Sequence, residues 1–264
     1  MTDHRLSLLT SAIKEAGSCL MSFYNKPLQV EHKSSLDLVT DADLAAEKLI
    51  KSRIKKSFPQ DAILAEESGS DSGNSVYRWI IDPLDGTTNF SHRIPHFAVS
   101  IALEKNGELF AGAIFDPAKK ELFQCRKGQG AFLNQKPIRV SSMVDPEQAL
   151  SVSGFPYNRR QHLPELLSRV EKALDHFQGF RRLGAASLDL AYIAAGRLDV
   201  FWETGLKPWD LAAGVLLIQE AGGVAANLLG KPLVLEEGEV LTCNKHLFHQ
   251  VKAILGRGST LPLS

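Results

Sequence analysis

Two carboxylates and a Gly-Thr turn lie within one short stretch, Asp82-Pro83-Leu84-Asp85-Gly86-Thr87-Thr88-Asn89. Asp82 follows the apolar residues 79–81, and Pro83 predicts that this strand ends there. Gly86 permits a tight backbone, so that successive N–H groups of the turn can face one anion. Mg²⁺ prefers carboxylate oxygens and often shares its coordination sphere with substrate phosphates. The stretch therefore indicates a site for a metal ion together with a phosphate group.

Further acids could complete such a site, because a two-metal centre needs more ligands than one pair of carboxylates supplies. Glu66-Glu67-Ser68 follows the apolar residues 62–65. Asp210 lies at the predicted start of a helix, whose N-terminus favours a carboxylate and would also favour a phosphate. Each acid taken alone could be an ordinary turn or cap residue. The hypothesis depends on their joint occurrence.

The elements that position these residues follow from the spacing of apolar side chains. Helices are predicted over residues 6–23 and 41–58, the second capped by Thr40 or Asp41, with a buried stripe that begins at Leu44. Residues 69–75 consist only of Gly, Ser, Asp and Asn, which predicts a polar loop. Strands are predicted at residues 79–81, 97–103, 109–115 and 121–126, with a hairpin turn at Asn106-Gly107.

The second half of the chain alternates between strands and helices. Strands are predicted at residues 149–153, 199–202 and 240–243, and helices at 163–177, 187–195, 209–221 and 244–255, the last capped by Asn244. This order predicts a layered α+β fold with mixed sheets. We expect a single domain of residues 1–264, whose halves, about 1–145 and 146–264, are tightly joined.

Composition argues against several classes of protein. Among 264 residues, 30 are Lys or Arg and 30 are Asp or Glu, so no net charge favours direct binding of nucleic acid. Cys19, Cys125 and Cys243 are far apart, which predicts reduced thiols in a cytoplasmic protein. The N-terminus has no apolar signal core. No apolar run approaches the roughly 20 residues of a membrane span, so no membrane association is expected.

Other chemistry-bearing motifs fit less well. His92 and His96 have zinc-like spacing, but a proline between them breaks the helix that would align the two rings. Asp41 and Asp43 resemble the opening of phosphatases that form an aspartyl-phosphate, but the fifth position of that motif is Ala45. The sequence contains neither the cysteine-phosphatase spacing nor a P-loop motif.

Two longer stretches carry a resemblance to a known family. Residues 79–90 are similar to the first signature of the inositol monophosphatase family, and Trp209-Asp210-Leu211-Ala212-Ala213-Gly214 with residues 220–223 is similar to the second. Glu66-Glu67-Ser68 resembles the acidic segment before the first signature. The resemblance extends from about residue 5 to residue 255. It implies a five-layer αβαβα sandwich, a homodimer, Mg²⁺ as cofactor and lithium as inhibitor.

The resemblance also implies a set of metal ligands. Glu66, Asp82 and the Leu84 carbonyl would bind one Mg²⁺, while Asp82, Asp85 and Asp210 would bind a second. A third, weaker metal would lie near Glu66. One ion lowers the pKa of its bound water, and the other neutralises charge on the leaving oxygen. No covalent phosphoenzyme is required.

Catalytic and substrate-binding roles follow from the same resemblance. The catalytic residues would be Glu66, Thr87 and Asp43. Thr87 would help to orient the attacking water, and Asp43 would support Thr87. Many family members have a hydroxyl residue where Ala185 stands, so the preference for particular substrate hydroxyls stays open. The residues expected to bind substrate are Lys33, Asp85, Gly86, Thr87, Gly184, Ala185, Glu203 and Asp210.

Three functional hypotheses remain after this step. The first is Mg²⁺-dependent hydrolysis of inositol 1-phosphate, which Glu203 favours because an acid suits a polyol. The second keeps the fold but changes the small phosphate ester to fructose 1,6-bisphosphate, histidinol phosphate or a 3′-phosphoadenosine nucleotide. The third is a protein-binding role in transcription or RNA processing, which some bacterial relatives have alongside the enzyme activity.

Overall fold

The computed structural model describes residues 4–26, 30–32 and 38–256. The helices in these ranges are α1 (His4–Phe23), α2 (Asp41–Ser57), α3 (Thr87–Ser91), α4 (Leu163–His176), α5 (Ala186–Ala194), α6 (Pro208–Glu220) and α7 (Phe248–Leu255). The strands are β1 (Val30–His32), β2 (Leu38–Thr40), β3 (Ala62–Ala65), β4 (Gly69–Asp71), β5 (Tyr77–Asp85), β6 (Ala98–Lys105), β7 (Glu108–Asp116), β8 (Glu121–Arg126), β9 (Ala131–Leu133), β10 (Lys136–Ile138), β11 (Leu150–Ser153), β12 (Gly179–Arg181), β13 (Val200–Thr204), β14 (Val224–Ala226) and β15 (Glu239–Cys243).

These elements stack in five layers. The described strands form an eight-stranded sheet in the order β10-β9-β8-β7-β6-β5-β3-β4 and a five-stranded sheet in the order β12-β11-β13-β15-β14, beside the pair β1-β2. Helices α1 and α2 cover one face of the larger sheet, α5 and α6 lie between the sheets, and α4 and α7 cover the smaller sheet. The α+β fold and its αβαβα order are confirmed.

Alternation along β5 shows why the larger sheet needs helices on both faces. Trp79 and Ile81 pack against α1 and α2, whereas Ile80 packs into the layer of α5 and α6. A strand that is buried on both sides reads as a continuous apolar run, as these residues do. The middle layer contains core residues from both sides of residue 145. The division into two halves stays a prediction.

The capping of α2 agrees with the sequence prediction, but one residue of its predicted buried stripe is exposed. The Thr40 side chain accepts a hydrogen bond from the Ala42 N–H at 3.2 Å, and Asp43 accepts one from the Thr40 N–H at 2.8 Å. This is a capping box. The prediction that Leu44 is buried is wrong, since it is 53% exposed. It lies about 200° around the helix from Ala42, at 100° per residue, and the inward stripe runs through Ala42, Ala46, Ile50 and Ile54.

Two other boundaries differ from the sequence prediction. The polar stretch at residues 69–75 contributes β4, which pairs with β3. Helix α7 begins at Phe248 and not at Asn244, because Asn244 Oδ1 accepts the N–H groups of His246 and Leu247 at 2.8 and 3.0 Å and closes a turn. None of the helices in the described ranges combines the length and the apolar character that a membrane span requires.

Candidate active site

Strand β5 brings the two acids of the central motif to one end of the larger sheet. The strand does not stop at Pro83, as the sequence predicted, but continues to Asp85 with a register shift in its pairing to β6. An irregularity of this kind accommodates a residue that has no N–H to donate. Asp82 Oδ1 accepts the Leu84 N–H at 3.0 Å, which fixes the turn between the two acids.

Gly86 reverses the chain between β5 and α3, a short helix that the sequence did not predict. Its φ of +89° is accessible to glycine and costly for other residues. A Cβ at this position would also lie 3.1 Å from the His96 carbonyl oxygen and 3.3 Å from the Ala185 Cβ. Gly86 is the N-cap of α3, so the first N–H groups of the helix have no partner within it. The predicted anion-binding turn is therefore compatible with this backbone.

Thr87 connects this turn to α2. Its hydroxyl lies 3.1 Å from Asp43 Oδ1 and 3.0 Å from the Leu84 carbonyl oxygen. Burial raises the pKa of Asp43 to about 6, against the opposing effect of its hydrogen bonds with Thr40. The contact between Thr87 and Asp43 is the one that the resemblance implies, although the roles of both residues stay predictions.

The predicted metal ligands line one cavity of about 260 Å³. The sequence alone does not say how far apart these residues lie in the fold. In the structure the cavity is lined by Glu66 after β3, by Asp82 and Asp85 on β5, and by Asp210 on α6. The Leu84, Gly86, Thr87, Gly184, Ala185 and Glu203 positions line it too. Lys33 lies outside the described residues.

The acids in the cavity raise one another's pKa values. Burial raises the pKa of Asp82 most, and the charges of Glu66, Asp85 and Asp210 raise it further. Burial and the charges of Glu66 and Asp85 likewise raise the pKa of Asp210. Such a group of buried carboxylates favours any cation that can replace the lost hydration.

Two of these acids also hold the first turns of helices. Asp85 Oδ2 accepts the Ser187 N–H at 2.7 Å and its hydroxyl at 2.5 Å, at the start of α5. Asp210 Oδ2 accepts the Lys207 N–H at 2.7 Å, at the start of α6. A carboxylate at a helix N-terminus is stabilised by the free N–H groups and by the helix dipole.

The donor set fits a hard divalent cation, with side-chain rearrangement. Among the described residues, no three acidic, His or Cys side chains are gathered as the ligands of one ion. Asp82, Asp85 and Asp210 each give one oxygen to a backbone N–H donor, and Asp82 also shares a hydrogen bond with the Glu66 carboxyl group. Carboxylate and carbonyl oxygens are the ligands that Mg²⁺ prefers. His92 and His96 are not part of the cavity lining.

Glu203 is a further buried acid of the cavity lining. Burial raises its pKa to about 8, and the Arg182 charge opposes this shift. A Cβ on Gly154 would lie 2.3 Å from both Glu203 carboxylate oxygens, so only glycine leaves room for this side chain. Strands β11 and β13 are parallel neighbours, which places Gly154, just after β11, beside the end of β13.

Several cavity residues were not selected from the sequence. Gly154 could have been found, because the carboxyl ends of neighbouring parallel strands lie together. Asp189 on α5 also lines the cavity, and Ser187 on the same helix contacts the cavity through Asp85, but no local motif marks either residue. Asp189 is 1% exposed, and its Oδ1 has no hydrogen-bond partner among the described residues. The cations that line the cavity are Arg182 and Lys207.

Known proteins are similar to this chain in both fold and sequence. The sequence profile described as the inositol monophosphatase family matches residues 1–256. The chain is 43% identical over 253 residues to the Nus factor SuhB of Escherichia coli K12, covering 95% of this chain and 94% of that protein. It is 44% identical over 243 residues to an inositol-1-monophosphatase of Mesorhizobium japonicum, with 91% of each chain covered. A solved inositol monophosphatase structure from Anabaena, 40% identical, superimposes with a TM-score of 0.87 over 96% of this chain and 95% of that one. The chain therefore belongs to the inositol monophosphatase family.

Proposed function

We propose that this protein is a Mg²⁺-dependent phosphatase that hydrolyses a small phosphate monoester, with inositol 1-phosphate as its preferred substrate. The observation that carries the proposal is the meeting of Glu66, Asp82, Asp85 and Asp210 in one cavity beside the Gly86 turn. The family is generally metal-dependent, and relatives of similar length are inositol-1-monophosphatases. Both facts support a phosphatase.

Each residue would contribute by binding or orienting. Glu66, Asp82 and the Leu84 carbonyl would hold one ion, and Asp82, Asp85 and Asp210 a second, with a third, weaker site near Glu66. Mg²⁺, when bound, would supply a Lewis acid that lowers the pKa of water and neutralises phosphate charge.

The remaining groups at this end of the cavity would handle the water and the phosphate. The Gly86 and Thr87 N–H groups would donate to phosphate oxygens. The Thr87 hydroxyl can donate to Asp43 and, with its lone pairs, accept a hydrogen bond from the attacking water. The water oxygen would form a bond to phosphorus as the bond to the alcohol oxygen breaks, the alcohol oxygen would gain the proton that the water loses, and no covalent enzyme intermediate would form.

Other residues of the cavity lining would select the alcohol part of the substrate. Glu203 would accept hydrogen bonds from the hydroxyl groups of a polyol that also contacts the backbone of Gly184 and Ala185. Arg182 and Lys207 also line the cavity, and these cations suit a second phosphate. Fructose 1,6-bisphosphate and 3′-phosphoadenosine nucleotides therefore remain alternative substrates, and histidinol phosphate remains one because the same fold hydrolyses it in other members of the family.

The test is phosphate release from four esters, with Mg²⁺ and with chelator. The panel holds inositol 1-phosphate, fructose 1,6-bisphosphate, histidinol phosphate and 3′-phosphoadenosine 5′-phosphate. We expect Mg²⁺-dependent release that falls at least about 100-fold in Asp85→Asn. Asp175→Asn on α4 is the matched control, since this acid is 75% exposed and distant from the cavity lining. No release from any ester under Mg²⁺ would overturn the proposal.

A second candidate function is a protein-binding role in transcription, which the Nus factor relatives favour. Affinity capture from a bacterial extract with wild-type protein and Asp85→Asn separates the two functions. Recovery of RNA polymerase-associated factors by both proteins would support a role that is independent of catalysis. Recovery of nothing above background would count against it.

Assembly and location are further parts of this proposal. The family resemblance implies a homodimer, and the cysteine spacing and zero net charge favour a cytoplasmic protein without a membrane or direct nucleic acid partner. Light scattering on the purified protein measures the assembly: twice the mass of one chain supports the dimer, and the mass of one chain contradicts it.

A further inference from the structure

Helix α5 begins without a cap from its own sequence. Ala185 is its N-cap residue, and an alanine side chain cannot accept a hydrogen bond from the first turn. The acceptor comes from a distant part of the chain, because the Asp85 carboxylate lies against this turn. The contact joins the end of β5 to α5 and so crosses from the larger sheet to the middle layer of helices.

Ser187 binds Asp85 through two donors. Its N–H and its hydroxyl both donate to Oδ2, at 2.7 and 2.5 Å, so that neither consumes Oδ1, and the neighbouring Ala186 and Leu188 N–H groups also favour the ionised carboxylate. Ser187 is fully buried, so water does not compete for the hydroxyl. Two donors on one oxygen restrict rotation of the carboxylate more than one donor does.

We propose that Ser187 is a positioning residue, whose hydroxyl holds the Asp85 carboxylate in the orientation that presents Oδ1 to a divalent cation in the cavity. The identity of that cation as Mg²⁺ rests on the proposed function. Groups that hydrogen-bond a metal ligand fix its orientation, and their removal typically weakens metal binding by about 10- to 100-fold. Ser187 thereby adjusts the cation affinity of the site without contacting substrate.

The alternative is a purely structural role, in which Ser187 only stabilises the start of α5. That role belongs mainly to its N–H, which any residue at this position except proline supplies. Removal of the hydroxyl alone therefore distinguishes the two roles. A capping role changes the melting temperature without changing cation affinity, whereas a positioning role changes cation affinity.

The experiment measures Mg²⁺ binding by titration calorimetry, in the absence of substrate, on wild type and Ser187→Ala. We expect the dissociation constant to rise about 10-fold in Ser187→Ala. Ser151→Ala is the matched control: Ser151 is fully buried and its hydroxyl donates to the Gly179 carbonyl at 2.9 Å, outside the cavity lining. Its Mg²⁺ affinity should equal that of wild type.

A second pair of variants keeps the test valid if Ser187→Ala folds poorly. Ser187→Thr retains the hydroxyl, and Ser187→Val has nearly the same shape without it. We expect Ser187→Thr to bind Mg²⁺ more tightly than Ser187→Val, at similar melting temperatures in chelator. Equal affinities within each pair, or no Mg²⁺ binding by wild type, would overturn the proposal. If wild type releases no phosphate but Ser187→Ala binds Mg²⁺ more weakly than wild type, the proposed function is overturned and the positioning role is supported.

Discussion

The two ends of β5 treat buried acids in opposite ways. Near its start, Asp61 accepts two hydrogen bonds from the Arg5 guanidinium at 2.8 and 2.9 Å and one from Trp79 at 3.0 Å. Burial opposes ionisation of Asp61, but these hydrogen bonds hold its pKa below the usual range. At the other end, burial and neighbouring acids raise the pKa of Asp82. Asp61 is paired with an arginine, whereas the charges that act most strongly on Asp82 are those of other acids.

The difference separates an acid that is paired within the fold from acids that call for a proton or an added cation. A buried carboxylate with a bidentate arginine is stable without a ligand, whereas clustered carboxylates are stable only when a proton or a cation joins them. Burial alone does not identify a functional acid, since Asp61 and Asp82 are both at most 1% exposed. The charge of the nearest partner does.

The largest expected effect is at the cavity end. In Asp82→Asn, phosphate release should fall at least about 100-fold, because a predicted ligand of both ions is neutralised. The melting temperature in chelator should rise, because the substitution removes one of the mutually repelling charges. Phosphate assays and thermal melts on the same preparation check both parts. A fall in both quantities would mean that Asp82 supports the fold as Asp61 does.

The next effect is at the start of β5 and has the opposite sign for stability. Asp61→Ala leaves the Arg5 guanidinium and the Trp79 N–H without this partner, and should destabilise the protein by about 3 kcal/mol. Urea unfolding measures this change, and phosphate release per folded molecule should stay close to wild type. Asp175→Ala, at an exposed acid, is the control. A loss of activity without a loss of stability would break the comparison.

The smallest expected effect is a slope of stability against pH. The pKa of Glu203 in the folded protein is raised to about 8, so the folded state binds more protons than the unfolded state below that pH. Stability in chelator should therefore fall as pH rises from the usual carboxyl range to about 8. Asp61 has the reverse sign: its contribution is present above its unfolded pKa and is lost as pH falls through its lowered pKa.

Glu203→Gln isolates the first of these slopes. Thermal melts in chelator across this pH range should show a shallower fall than in wild type, because the titrating carboxyl is absent. An unchanged slope would show that Glu203 does not contribute to it.

The sequence predicted local chemistry better than long-range contacts. The acids at Asp82 and Asp85 were evident because a strand, a proline and a glycine turn lie within one motif. The contact between Ser187 and Asp85 was not, because the two residues are 102 positions apart and only the packing of α5 beside β5 joins them. Leu44 was misplaced because small alanines, Ala42 and Ala46, occupy the inward face in the first half of α2 and a larger apolar residue points outward. The position of Lys33 stays a prediction.

Capping of α5 and α6 by Asp85 and Asp210 has a consequence for ion exchange. Because these helices already have acceptors at their first turns, release of an ion leaves neither helix without a cap. A cation bound as proposed would then enter and leave without a folding transition, unlike in small domains that unfold when their metal is removed. Occupancy would follow the free Mg²⁺ concentration of the surroundings, and the turnover rate would follow it in turn.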